Sequence, residues 1–320
     1  MNSSPMSAIW RLVRIEKKNI HYLYTYAIIA GLMSLTIPLG IQALIGAVMV
    51  GKLSSSWFIL VTGITLLAAV AGLTRLAQLS ILDSIQRKLF VRFSLHFAKK
   101  LFQKSKQDPT SLNLMSKSSR FLDIVTLQKS FSKLILDFTS KALQIIAGLA
   151  LLAVYHSSFI ILAIIIGIII YIGFKLTWTK GFETARDESN YKFSTADTIQ
   201  SISTNQEIQS ESDIFKLLET HIDGYVGNRN AHFAILKKQA LFAIITKVIL
   251  TAAMLVIGST LLIEQQISLG QFLAAEILII TLLDAVEKLI LTVEYIYDCG
   301  IAIEKLEIFS KSKTLKELEV

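Results

Sequence analysis

Ile135–Leu176 reads ILDFTSKALQIIAGLALLAVY-HSS-FIILAIIIGIIIYIGFKL, two apolar runs separated by three polar residues. Coiled as a helix that rises about 1.5 Å per residue, each run roughly matches the ~30 Å hydrocarbon core of a bilayer. His156–Ser158 has room only to turn the chain back. The same unit occurs twice more. Tyr22–Val50 and Trp57–Leu82 flank the brief turn Gly51–Ser56, and Leu241–Ile263 and Phe272–Ile296 flank Glu264–Gly270. Backbone amides in hydrocarbon find no water, so only helices or closed barrels cross it. These runs are continuously apolar and do not alternate, which excludes a barrel. The expected fold is therefore an all-α membrane protein of six long transmembrane helices, with spans 22–50, 57–82, 135–155, 159–176, 241–263 and 272–296.

Composition agrees. The chain has 320 residues, 53% of them hydrophobic and 18% charged, with mean hydropathy +0.57. A soluble domain is also roughly half apolar, but without concentrating those residues into spans. The charge is +8 at pH 7, and its placement gives orientation. Arg11, Arg14, Lys17 and Lys18 precede the first span. Arg87, Lys88, Arg92, Lys99, Lys100, Lys104, Lys106, Lys117 and Arg120 lie between the second and third. Lys180, Arg186, Lys192, Lys216, Arg229, Lys237 and Lys238 lie between the fourth and fifth, while the opposite side carries only Lys52. Lysine and arginine collect on the cytoplasmic side, so both termini are expected inside. Spread over several intervals and forming no nucleic-acid motif, these charges suit anionic lipid, and no nucleic-acid partner is expected. The first span follows about twenty polar and basic residues, exceeds a signal-peptide core in length and lacks a cleavage site. Cys299 is the only cysteine, so no internal disulfide can form. His21, His96, His156, His221 and His232 show no ligand spacing, so no metal is expected. No nucleophile stands beside a base, so no catalytic residue is proposed.

The long intervals read as helix. Asp83–Gln107 contains neither proline nor glycine and repeats Leu89, Phe93, Phe97 and Leu101 at helical spacing. Between Lys175 and Gln239, Ile199, Ile202, Ile208, Phe215, Leu218, Ile222 and Tyr225 recur likewise, which a disordered linker would not show. Two cytoplasmic helical hairpins follow, each with a reversal at its far end. Gln107-Asp108-Pro109-Thr110-Ser111 marks the first, combining a capping residue with an early-helix proline. The polar stretch Thr204–Asp213 marks the second.

Residues at the two ends of the chain carry a resemblance. Ile37-Pro38-Leu39-Gly40-Ile41-Gln42-Ala43-Leu44-Ile45-Gly46 resembles the proline-containing first span of haemolysin-type and bacteriocin-type export permeases. Ile267-Ser268-Leu269-Gly270-Gln271-Phe272-Leu273-Ala274-Ala275 resembles the entrance to their last span. Glu294–Asp298 with Ala302–Leu306 resembles its exit. The chain is thus similar, over about residues 20–310, to the type-1 transmembrane domain of ATP-binding-cassette (ABC) exporters. The resemblance implies a cytoplasmic N-terminal segment at 1–20, a six-helix domain at 21–310 and a cytoplasmic tail at 311–320. It also implies that the hairpin tips couple to ATPase domains through Asp108, Pro109, Thr110, Ser111, Asn113, Gln206, Glu207, Ser210 and Glu211.

Such exporters often continue into a nucleotide-binding domain, and this sequence carries no signature motif. Gly46–Leu53 has glycine-lysine spacing, but Leu53 stands where a P-loop needs Ser or Thr for Mg²⁺. The expectation is a permease subunit, not itself catalytic and binding no cofactor, with ATP and Mg²⁺ held by a separate ABC ATPase subunit. Its other expected partners are a second transmembrane domain, the lipid bilayer, and a periplasmic adaptor with an outer-membrane channel. A peptide, a protein or another large substrate would be the cargo. The alternative is a scaffold or regulator that retains the fold without transporting.

Ionisable residues inside a membrane are costly and point to function. Glu276, Asp284, Glu287, Glu294 and Asp298 of the last span fall within an arc of about 80° on a helix turning about 100° per residue. This stripe should line a water-filled pathway or pair with Lys141 or Lys247. Glu294 and Asp298 fit better a position in cytosol on the helical extension, and Asp284 and Glu287 fit equally well as structural ion pairs. Pro38 should kink the first span, as a hinge or as a fixed bend.

Overall fold

The computed structural model describes residues 5–49, 55–107, 119–203 and 211–309, and among them no strand occurs. The helices are α1 (Pro5–Ile15), α2 (Lys17–Ser34), α3 (Thr36–Met49), α4 (Ser55–Gln107), α5 (Leu122–Tyr155), α6 (Ser158–Ser203), α7 (Glu211–Ile263), α8 (Leu269–Leu291) and α9 (Val293–Phe309). A single 3₁₀ turn, Ser119–Phe121, leads into α5. Six segments are long and apolar enough to cross a membrane: α2–α3, α4, α5, α6, α7 and α8–α9. The chain is a multi-pass membrane protein.

Two expected single spans are interrupted. The first breaks at Leu35, whose amide donates to Leu32 O at 3.2 Å before α3 resumes. Pro38, three residues on, has no N–H to offer the carbonyl of Ser34, and its ring crowds that carbonyl. The last span breaks at Thr292, whose hydroxyl donates back to Lys288 O at 2.7 Å. Such back-bonding bends helices. Pro5–Ile15 is helical and buries Ile9 and Leu12 against Ile303 and Leu306 of α9. Glu16, 5% exposed, joins α1 to α2 and accepts from Arg92 of α4 at 3.3 Å and from Asn19 at 2.7 Å.

The 53 residues of α4 and of α7 and the 46 of α6 give lengths of about 70–80 Å. A hydrocarbon core uses about 30 Å, so these helices project roughly 40–50 Å beyond it. α6 and α7 run antiparallel. Thr184 meets His232 at 3.2 Å, Arg229 donates to Glu188 at 3.1 Å, and Thr198 meets His221 at 3.0 Å, in opposite order along the two helices. α4 and α5 also run antiparallel, with Phe90 and Phe97 packed on Phe121 at one end and Arg75 close to Asp137 further along.

Burial falls into two layers. One core lies among the projecting parts of α1, α2, α4, α5 and α9, around Leu12, Ile85, Leu89 and Phe131. The other lies between the spans of α5 to α8, around Leu152, Ile166, Met254 and Ile279. The most apolar stretch of α4 contains no fully buried residue, whereas half of that of the last span is buried. The first faces lipid or a partner, and the second forms the centre of the bundle.

Candidate functional site

The last span is set by its start. Ser268 caps α8 by accepting from the Gln271 amide at 3.2 Å, while Gln271 Oε1 accepts from the Ser268 amide at 2.8 Å. This reciprocal box satisfies two otherwise free donors. Gly270 then lets α8 press on α3, since a Cβ there would stand 3.1 Å from the Gln42 carbonyl oxygen. Gln42 itself accepts from the Tyr155 hydroxyl at 2.7 Å. Two of the stretches quoted for the resemblance, around Gln42 and Gly270, thus meet in space.

The acidic stripe divides into three parts. Lys247 of α7 donates to Asp284 at 2.5 Å and lies 3.5 Å from Glu287. All three side chains remain between a third and a half exposed. Glu276 stands two turns above on α8, half-buried, with Oε1 enclosed and unbonded. Glu294 and Asp298 lie on α9 beyond the Thr292 break and belong to a different cavity. Lys141 does not bond the stripe. It donates to Gln144 at 3.0 Å and lines a separate cavity of about 410 Å³ between α2, α4 and α5. Of the two candidate partners, only Lys247 forms an ion pair with the carboxylates.

The cavity around Asp298 holds about 130 Å³ and is lined by Asp123, Glu188, Lys192, Arg229, His232 and Glu294, among others. Counted along their helices from the outer turns, Asp123, Glu188, His232 and Asp298 lie about 44–48 Å away. They are therefore beyond a ~30 Å core, on the projecting parts. Burial pushes the Asp298 carboxyl up to about 6, helped by the neighbouring Glu294. Burial raises Asp123 to about 6 against the pull of Lys305, and lowers Lys305 to about 8. Lys305, 5% exposed, donates to Ser189 at 2.6 Å and sits 4.1 Å from the Phe193 ring centre. Arg186 and Glu304 pair at 2.6 Å beside it. This network ties α5, α6 and α9 into one unit where the helices leave the membrane. Sequence reasoning missed it, although Asp123 and Lys305 on otherwise apolar helical faces were its signal.

No family model matches the chain, and no curated protein matches its sequence. The fold and the placement of charge therefore carry the functional argument. The expected coupling residues Asp108, Pro109, Thr110, Ser111, Asn113, Gln206, Glu207 and Ser210 lie outside the described residues, and Glu211 begins α7. Among the described residues no His, Cys, Asp and Glu group could hold a metal. Gly46–Met49, the described start of the P-loop-like spacing, is the last turn of α3 and not a phosphate-binding loop.

Proposed function

We propose that the chain is the permease half of an ABC-type exporter. The observation that carries this reading is the pair of antiparallel helical hairpins, α4–α5 and α6–α7, each extending far beyond the spans. Rigid arms of this length transmit displacement from their tips to the spans, and a protein that only sat in the bilayer would have no use for them. Buried ionic and aromatic contacts at their bases stiffen them further. On this reading the arms face the cytoplasm of a bacterial inner membrane, and the basic residues along them support the cytoplasmic side. Two such domains enclose an alternating-access pathway, the outward-facing span of α4 being available to the partner or to lipid. ATP and Mg²⁺ are bound by ATPase domains outside these 320 residues, whose closure pushes on the tips. Glu276, with one oxygen enclosed and unbonded, is the residue of the stripe best suited to meet polar cargo such as a peptide. A periplasmic adaptor and an outer-membrane channel would complete the route.

One observation favours a second reading, a membrane scaffold that retains the fold without transporting. Lys247 pairs with both Asp284 and Glu287, so part of the stripe serves as a structural ion pair. Reconstitution in liposomes with candidate cassette ATPases separates the two. The permease reading expects co-purification and stimulated ATP hydrolysis, lost on Glu207→Lys or Glu211→Lys. Failure to associate with any cassette ATPase would sink it.

A further inference from the structure

The cavity between α2, α4 and α5 is not absorbed by the export reading. It holds about 410 Å³, within the range of small-ligand sites, roughly 300–1,000 Å³. Ala27, Gly31, Ala71 and Gly72 keep the helices from filling it. Its polar wall is Arg75, Gln78, Asp137, Ser140, Lys141 and Gln144. Arg75 on α4, Asp137 on α5 and Lys288 on α8 all stand about 27–30 Å from the outer ends of their helices. The cavity therefore opens at the far edge of a ~30 Å hydrocarbon core, on the side of the long extensions, where lipid headgroups begin.

Its chemistry selects an anion. Arg75 and Lys141 line the cavity against the single lining acid Asp137; Lys288 and Lys133 add their fields at Asp137, and Asp284 adds its own at Lys141, so cations still outnumber acids. Gln78 is 4% exposed, and its Nε2 has no hydrogen-bond partner although it lines the cavity. The Ser140 hydroxyl is also enclosed and unbonded. A buried amide donor without a partner is costly, and an oxyanion supplies the missing acceptor. Basic pockets between membrane helices at this depth suit phosphate headgroups.

We infer that this cavity binds a phosphate-bearing anion, held by Arg75 and Lys141 with Gln78 donating from the buried wall. The inference rests on the membrane fold and is independent of export. The test uses the purified, delipidated full chain and native mass spectrometry, titrating phosphatidylglycerol against phosphatidylcholine. The expected result is one saturable phosphatidylglycerol adduct, preferred over phosphatidylcholine. At about 1 kcal/mol per cation near the headgroups, each of Arg75→Gln and Lys141→Gln should weaken it about fivefold, and the pair about thirtyfold. Asp137→Asn should tighten it about fivefold, a gain that a damaged fold cannot produce. Lys99→Gln with Lys180→Gln, on the extensions, should leave it unchanged. Competition by glycerol phosphate at similar concentration would make the ligand a soluble phosphate; its failure would make it a lipid headgroup. Retention of the preference in the double variant, or weakening by Asp137→Asn, would overturn the site. A chain that stays in solution without detergent would overturn the membrane reading instead.

Discussion

Replacing Asp298 by Asn should stabilise the protein, and only above about pH 5. In an unfolded chain this carboxyl ionises near 3.8, but in the folded protein burial and Glu294 push it up to about 6. Between those values the folded state holds more protons than the unfolded one. Stability therefore falls as pH rises from about 4 to about 6 and stays low above. The shift of roughly two units, at about 1.36 kcal/mol per unit, corresponds to about 2–3 kcal/mol at pH 7.5. Asn keeps the shape and removes the charge, so the variant recovers most of that. For a chain of this size the gain is a rise of about 4–6 °C in the thermal midpoint, read by helical circular dichroism in detergent at pH 7.5. At pH 4 both proteins should melt together. A gap of equal size at both pH values, or no gap at pH 7.5, would refute the argument that an uncompensated buried charge sits here.

Lys305 is the opposite case. Lys305→Gln removes the leading counter-charge of Asp123, itself 3% exposed, and should lower stability at pH 7 by about 3–5 kcal/mol. Adding Asp123→Asn should recover about 1–3 kcal/mol of this in a double-mutant cycle. Gly181→Ala would drive a Cβ into the ring of Tyr297, which is fully buried. A loss of about 1–3 kcal/mol is expected, whereas Gly167→Ala, with nothing within 4 Å of its Cβ, should be nearly silent. Cys299 is fully buried and its thiol is pushed up by that burial, so a maleimide should label it only after denaturation.

The spans were legible because apolar length is a local property. His156–Ser158 and Glu264–Gly270 fall where the helices turn, and the Gln266 amide closes the second turn on Leu261 O at 2.9 Å. Gln265, at φ 59°, takes the left-handed position there. The Leu35 interruption was foreshadowed by Pro38, whose effect reaches one turn back along the helix. The Thr292 break was not, because threonine bends a helix only when its hydroxyl turns on its own backbone. The amphipathic character of Ile9, Leu12 and Val13 beside Arg11 and Arg14 was masked by the polar start of the chain. Pairing was the least legible. Lys141 and Lys247 are both cations one span away from the stripe, and only the packing of α7 on α8 decides that Lys247 reaches Asp284. The proposed anion cavity likewise depends on α2, α4 and α5 bringing Gly31, Arg75 and Asp137 around one space, which no single stretch of sequence displays.

The central claim is that the two arms end in contacts with a motor. A photo-crosslinking amino acid placed at Asn113 and, separately, at Gln206 tests this in native membranes. Both tips should capture the same nucleotide-binding ATPase, and a third probe in the outer turn at Ser157 should not. Tips that capture only lipid or other copies of this chain would contradict the account.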